Sequence, residues 1–346
     1  MFPTTRYQGS KRKLIPWILS CLEQVEFDSV LDVFGGTGSV SYALKEQGKR
    51  VHYNDYLHFN QQIGLALIEN QREQVPQATL DTVLAAGRSA KDSAHCNDGF
   101  IAQTFSGVYF TDDENRWLDA VVPSITAVQE PLQRAILWSA LGQAALIKRP
   151  YNLFHRANLD MRQRDVKRSF GNKVTWDRPF AEYLARFVHE YNKAVFDSGV
   201  ECTSTCVDAQ TLTPDTELVY LDPPYTSARG KGVDYHGFYH FLEGTLDYAN
   251  WSDQLDRARR HMPLLKRSNP WNQASLVPGA FEEIFSMCES VPVLALSYRS
   301  DGLPSVAQLQ AMLRRFGRTV EVHEVRSYQY ALSGRKAGEV LLIARK

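Results

Sequence analysis

The chain has 346 residues, 44% of them hydrophobic, and its 39 Lys and Arg match its 39 Asp and Glu, so the formal net charge is zero. That length supports one large core or two smaller ones, and the charge balance removes any argument for a nucleic-acid partner from a global basic excess. No run of 18 apolar residues occurs, so no membrane span is expected, and the polar, then basic start from Met1 to Lys13 reads as no secretory signal.

In chain order, Ser29 to Phe34 reads as a buried strand ending in glycines, and Val40 to Gln47 as the helix that follows it. A second strand, Arg50 to Tyr53, ends at Asn54-Asp55. From about Phe59 to Val200 strand-like runs are few. Helical periodicity shows in Pro131 to Ile147 and in Pro179 to Phe196, and the stretch between them is dense in Arg and Lys. Glu217 to Leu221 is a third strand that runs into Asp222-Pro223-Pro224. Val291 to Leu296, a helix over Val306 to Phe316, then Thr319 to Arg326 and Glu339 to Ala344 complete the pattern. Short apolar runs flanked by Gly, Pro and Asp suit a mostly parallel sheet covered on both faces, and strand–helix alternation implies a doubly wound α/β fold. Residues 59–199 are expected to form a mainly helical insertion. Residues 1–58 and 200–346 would then make one catalytic domain interrupted in sequence.

Cys21, Cys96, Cys202, Cys206 and Cys288 show no CxxC pair and no His partner at zinc spacing. They read as free thiols of a reducing cytosol. His236 and His240 lack a third ligand, so no metal is assigned.

Phe34-Gly35-Gly36-Thr37-Gly38-Ser39 follows the first strand and opens a helix. Glycines there let the backbone turn sharply and approach a ligand closely, and helix N–H groups would face an anionic group. The GxGxxG spacing of dinucleotide folds is missing, which argues against NAD. Asp55, at the end of the second strand, stands where an acid can accept both hydroxyls of a ribose.

Asp222-Pro223-Pro224-Tyr225 is the most specific feature, expected by chance in roughly one such chain in a thousand. It follows an apolar strand at the sheet edge where α/β folds bind ligands. Two prolines stiffen the backbone and leave a carboxylate, carbonyls and an aromatic ring. That set suits an aromatic amine, whose lone pair is delocalised. Hydrogen bonds from its two N–H groups to Asp222 and the Pro223 carbonyl would favour a pyramidal nitrogen aimed at a sulfonium methyl. These bonds strengthen as positive charge develops. Tyr225 can stack on a base that has left the duplex.

These segments, in this order, resemble the Dam-like DNA adenine-N6 methyltransferases of the alpha arrangement. Tyr7-Gln8-Gly9-Ser10-Lys11 looks like the family's N-terminal segment, Asp32 to Ser39 its cofactor loop, and Asn54-Asp55 its ribose-binding acid. Asp208 is similarly placed to an acid near the cofactor's adenine, and Asp222 to Tyr225 is similar to the catalytic motif. Ser297-Tyr298-Arg299 and the segment from Arg326 to Glu339 also look familial. The resemblance implies a class I methyltransferase sheet of seven strands, Rossmann-like and mostly parallel, with a helical target-recognition insertion. It implies S-adenosylmethionine as cofactor, held by Tyr7, Lys11, Asp32, Phe34, Gly36, Gly38, Asp55, Asp208 and Asp222. By position, Tyr7 would pack on the cofactor and Lys11 would meet its methionine carboxylate. Asp32 and Val33 depart from the family's Glu-Pro. The implied activity is site-specific methylation of adenine N6 in double-stranded DNA on a flipped base, in a prokaryotic or phage cytoplasm, with a cognate restriction enzyme as a possible partner.

Between Lys148 and Lys173, eight basic residues (Lys148, Arg149, Arg156, Arg162, Arg164, Lys167, Arg168, Lys173) face two acids, Asp160 and Asp165. Tyr151, Phe154, His155 and Phe170 are interleaved. Basic residues neutralise phosphates, and aromatics or Asn reach bases. Arg156, Asn158, Arg162, Arg164, Lys167 and Arg168 are therefore DNA-binding candidates, with Asn158, Arg162 and Arg164 as base readers. Thr226 to Tyr239 carries Gly230, Gly232 and Gly237 with Arg229 and Lys231, and could close over a flipped base. The competing readings are a cytosine-N4 or RNA-adenine methyltransferase, disfavoured by Asp222 in the first case, and an inactive methyltransferase fold that only binds DNA.

Overall fold

The computed structural model describes residues 1–92, 98–164, 173–227, 232–325 and 338–346, with only the backbone of residues 90–92. Two units divide the chain. The first holds Gln8–Gln71, Asp197–Tyr235 and Ser268–Lys346; the second holds Met1–Tyr7, Arg72–Phe196 and His236–Arg267.

The first unit is built on a sheet of seven strands: β1 (Ser29–Asp32), β2 (Arg50–Asn54), β3 (Thr203–Thr205), β4 (Leu218–Leu221), β5 (Val293–Arg299), β6 (Thr319–Val325) and β7 (Glu339–Arg345). Their order is β3-β2-β1-β4-β5-β7-β6. β3, β2, β1, β4 and β5 run parallel, and β7 lies antiparallel between β5 and β6. This is the mostly parallel class I methyltransferase sheet with a C-terminal antiparallel hairpin. β1 and β4 are neighbours with Asp32 opposite Tyr220. Chain order reverses there, so the loops leaving both strands open the crevice in which such sheets bind ligands.

The short central strands form because their side chains are apolar on both faces; every residue of β1 and β4 is buried. Leu31, Val219, Leu294 and Leu342 share one core with Phe281, Ile284 and Phe285 of helix Val277–Met287 and with Leu309 and Leu313 of helix Val306–Arg315. Ser305 and Gln308 cap that last helix reciprocally. β3 has no apolar alternation. It exists through pairing, with Thr203, Ser204 and Thr205 opposite His52, Tyr53 and Asn54.

The second unit is helical. Gln77–Asp92 packs on Asp112–Thr126, and Pro131–Ile147 packs on Phe180–Ala194. Pro131–Ile147 is buried from Ala135 to Ile147, as a helix apolar all round must be.

The unit boundaries differ from the sequence expectation of 1–58 with 200–346 and 59–199. Residues 59–71 stay with the sheet. There Phe59, Ile63 and Leu67 are buried and the Lys45 ammonium binds the Leu67 and Asn70 carbonyls. Residues 236–267 join the helices because Phe241 and Trp251 fill the aromatic cluster around Phe105.

Candidate functional site

Asp222 leaves the end of β4 and meets Lys11, whose ammonium stands 3.0 Å from its Oδ1. The same ammonium lies 2.6 Å from Glu339 Oε1 at the start of β7 and also binds the Tyr225 hydroxyl. That hydroxyl sits 2.7 Å from Asp222 Oδ1 and 2.8 Å from Glu339 Oε1. Ser297 of β5 donates to Glu339 at 2.9 Å. Lys11 and Glu339 are buried. Two carboxylates against one ammonium leave this cluster net negative. Burial alone would lower the Lys11 pKa, but Asp222 and Glu339 outweigh it and hold the ammonium well above its ordinary value. Burial raises the Asp222 carboxyl, Lys11 opposes, and the Glu339 charge raises it further.

The Asp222–Tyr225 tetrapeptide is braced beyond its prolines. The Tyr225 ring meets Tyr298 edge-on at 5.4 Å. Thr226 donates its hydroxyl to the Trp271 carbonyl and accepts at its own carbonyl from Leu303 N–H.

The loop after β1 turns at Gly36 (φ +53°) and Gly38 (φ +70°), left-handed conformations that disfavour any side chain. Gly35 is required for a different reason: a Cβ there would lie 2.0 Å from the Tyr53 ring. Asp55 fixes the loop, accepting from Gly36 N–H and Leu57 N–H at 2.9 Å each. Phe34 packs edge-on against Trp271 at 5.1 Å. Asp208 is exposed and caps the short turn Ala209–Thr211.

Three of the residues expected at the cofactor are engaged within the protein here. Asp32 is 1% exposed, accepts from Ser41 at 2.5 Å and lies in the core. Burial, helped by the Asp222 and Asp55 charges and opposed by Ser41, raises its carboxyl to about 7. It braces the loop helix rather than facing a ligand. The Tyr7 ring belongs to the helical unit and stacks on Tyr239 at 4.3 Å. The Lys11 ammonium meets Asp222, Glu339 and Tyr225. Glu339 itself went unassigned in the sequence. Its signal was a lone acid opening an otherwise apolar strand.

In the helical unit three cations of the basic stretch, Lys148, Arg149 and Arg162, turn inward. Arg162, 4% exposed, forks onto Glu114 at 2.8 and 2.7 Å and also donates to the Tyr109 and Trp176 carbonyls. Lys148 joins the same Glu114 at 2.7 Å. Glu114 in turn caps its helix with Thr111. Burial raises the Glu114 carboxyl, yet the two cations outweigh it and hold it below the usual range. Arg149 ties the Leu153, Tyr109 and Arg156 carbonyls and the Asn158 side chain. Arg162 and Asn158 are thus corrected: both are buried structural residues, unable to reach base edges. Arg156 and Arg164 are exposed, Arg164 pairing with Asp160 at 2.5 Å. Lys167, Arg168, Phe170, Arg229, Gly230, Lys231 and residues 326–337 lie outside the described residues.

The loop that Arg149 holds presents Tyr151, 46% exposed, with Tyr151 and Asn152 both left-handed at φ +62° and +56°. Such backbone costs on the order of 1 kcal/mol or more per non-glycine residue and persists only where its surroundings impose it. Here the Arg149 carbonyl accepts from Asn152 N–H and its guanidinium binds the Leu153 carbonyl just beyond. Among the described residues no cluster of His, Cys, Asp and Glu could hold a metal ion.

Residues 7–272 match the family model of D12 class N6 adenine-specific DNA methyltransferases. Type II methyltransferase M2.HphI of Haemophilus parahaemolyticus is 29% identical over 342 residues, covering 97% of this chain and 94% of that protein. Type II methyltransferase M.NlaIII of Neisseria lactamica is 24% identical over 334 residues, with 90% and 88% covered. Type II methyltransferase M.CviAII of Paramecium bursaria Chlorella virus 1 is 23% identical over 328 residues, with the same coverage.

Proposed function

The chain belongs to the D12 class of N6 adenine-specific DNA methyltransferases, and we propose that its methyl donor is S-adenosylmethionine and its acceptor an adenine turned out of the double helix. The donor supplies an electrophilic methyl group on a sulfonium. What supports it here is the loop after β1: Gly36 and Gly38 in left-handed turns, no Cβ in the way, and the Asp55 carboxylate beside them. Gly36, Gly38, Asp55 and Phe34 would hold the donor, with Asp208 at the rim.

Asp222 and the Pro223 carbonyl accept the two N6 hydrogens of adenine and pull its lone pair out of conjugation. Lys11 keeps Asp222 ionised and oriented. Tyr225 gives its one hydroxyl proton to one of the two carboxylates at a time and offers its ring to the base. The negative surplus of Asp222 and Glu339 over Lys11 favours the positive charge that grows on nitrogen. The observation that carries the reading is the Asp222 carboxylate, fixed by Lys11 and Tyr225 at the sheet's switch point.

On the DNA side, the reading rests on Tyr151, Arg156 and Arg164, with Lys167, Arg168, Arg229 and Lys231 as further phosphate contacts. Tyr151, exposed on a left-handed backbone, would enter a base stack. The proposed partner is a cognate restriction enzyme, against whose site this methylation would protect. No helix of the described residues is long and apolar enough to cross a membrane.

The test is to incubate the protein with duplex DNA and S-adenosylmethionine, digest the DNA and look for N6-methyladenine by mass spectrometry. Asp222→Ala is expected to abolish the product at an unchanged melting temperature. Product from the variant at the wild-type rate overturns the mechanism. Failure of S-adenosylmethionine to bind overturns the donor.

A further inference from the structure

We propose that the hairpin Leu255–Leu264, together with Lys266 and Arg267, is a second phosphate-binding surface for the DNA duplex, separate from the Arg149–Arg164 segment. The proposal rests on the family's DNA substrate and adds a place where that substrate is gripped.

The hairpin closes through an antiparallel bridge between Leu255 and Leu264. Asp256 N–H donates to the Pro263 carbonyl at 2.8 Å and Leu265 N–H to the Gln254 carbonyl at 2.7 Å. Its apolar residues point inward. Leu255 and Leu264 are buried, and the preceding Trp251 is fully enclosed against Phe105 and Phe241. Its cations point outward: Arg257, Arg259, Arg260, Lys266 and Arg267 are all exposed. Only Asp253 and Asp256 oppose them within residues 251–267, a surplus of three positive charges in a chain whose total is zero.

Solvated surface cations are common, so the count alone decides nothing. Three observations set this hairpin apart. Arg257 is bound to Ser252 and Arg259 pairs with Asp256 at 3.3 Å, whereas Arg260, Lys266 and Arg267 have no hydrogen-bond or ion-pair partner among the described residues. The tip is stiff: Asp256 Oδ1 accepts from Ala258 N–H at 3.1 Å, and Met262, left-handed at φ +42°, donates its N–H to the Arg259 carbonyl. Cations on a pre-ordered backbone lose less entropy on meeting a phosphate.

The third observation is a shared anchor. The Tyr109 hydroxyl lies 2.8 Å from the Phe154 carbonyl and 2.7 Å from the His261 carbonyl, with His240 Nε2 at 2.7 Å. Its one proton serves one carbonyl at a time, so a single buried oxygen fastens both segments. The loop bearing Tyr151 and Arg156 and the hairpin bearing Arg260 are therefore held in fixed register within one unit. A regular array of phosphates rewards that arrangement.

The test uses the full chain, with Arg260→Gln, Lys266→Gln and Arg267→Gln combined. Duplex affinity is measured from 50 to 300 mM salt, and methylation kinetics are measured alongside. Each lost phosphate contact lowers the slope of log K against log salt by about 0.9, so a fall of two to three is expected. KM for DNA should rise tenfold or more while kcat at saturating DNA stays within twofold. Arg260→Lys with Arg267→Lys should keep the wild-type slope, since a phosphate needs only the charge. A single Lys266→Gln, expected to lower the slope by about one, serves if the triple variant does not fold. An unchanged slope and KM in a variant of a parent that does methylate DNA overturns the hairpin. A parent that produces no N6-methyladenine overturns instead the reading beneath it.

Discussion

Replacing Glu339 by Gln keeps the shape of the cluster and removes one charge. Wild type sets two carboxylates against one ammonium; the variant sets one against one. The Tyr225 hydroxyl separates Asp222 from Glu339 by contacts of 2.7 and 2.8 Å. An amine bound to Asp222 would therefore sit on the order of 8 Å from the Glu339 charge. At an effective dielectric near 20 a full charge at that distance is worth about 2 kcal/mol, and a half-developed one about 1 kcal/mol. That is roughly five- to sixfold in rate. Lys11, stripped of its 2.6 Å partner, turns wholly to Asp222 and competes with the substrate amine for its lone pairs. Together the two effects should lower kcat by about ten- to a hundredfold, with little change in KM for DNA. A second readout is the acidic limb of the kcat/KM profile. Burial raises the Asp222 carboxyl first, and the Glu339 charge adds to it against Lys11. Removing that charge moves the limb to lower pH, whereas a merely loosened fold lowers the whole curve in place. Glu339→Asp should return the limb to its wild-type position. A kcat/KM within twofold of wild type and an unmoved limb in Glu339→Gln refute the electrostatic account.

Arg162→Gln strands Glu114 beside Lys148 inside the helical unit and should cost about 3–5 kcal/mol, read as a lower melting temperature with the salt slope of DNA binding unchanged; intact stability with weakened DNA binding would return Arg162 to the interface. Asp55→Ala removes the two hydrogen bonds that hold the Gly36 and Leu57 N–H groups, so S-adenosylmethionine affinity should fall at least about tenfold by calorimetry; unchanged affinity takes Asp55 out of the pocket. Asp32 titrates near 7 in the folded chain against a lower ordinary value, so its contribution is fully present in acid and is lost as pH rises toward and past 7, by up to about 4 kcal/mol. Asp32→Asn should therefore melt higher than wild type at pH 8 and show a flatter stability profile between pH 4 and 8; an unaltered profile shows that Asp32 is not protonated in the core.

Short-range patterns were legible. The runs around Leu31, Val219 and Leu294 announce buried strands because both faces are apolar and Gly, Pro or Asp ends them. Asp222 to Tyr225 announces its chemistry because two prolines fix local geometry whatever surrounds them. Pairing across long distances was not legible. Thr203–Thr205 is a strand only because β2 lies beside it, and Glu339 meets Lys11 across 328 positions of sequence. The basic stretch misled for a related reason. A string of letters gives the charge of Lys148, Arg149 and Arg162 but not which way they point. The partner that turns two of them inward, Glu114, stands more than thirty residues upstream on another helix.

That inward turn separates two kinds of position along one short segment. Arg149, Arg162 and Glu114 act as a buried keel whose alteration destabilises the unit, while Tyr151, Arg156 and Arg164 ride exposed above it. On the proposed DNA face, new target words would be reached by exchanging the riders while the keel is inherited intact. A library confined to those three exposed positions is the economical place to look for altered sequence preference.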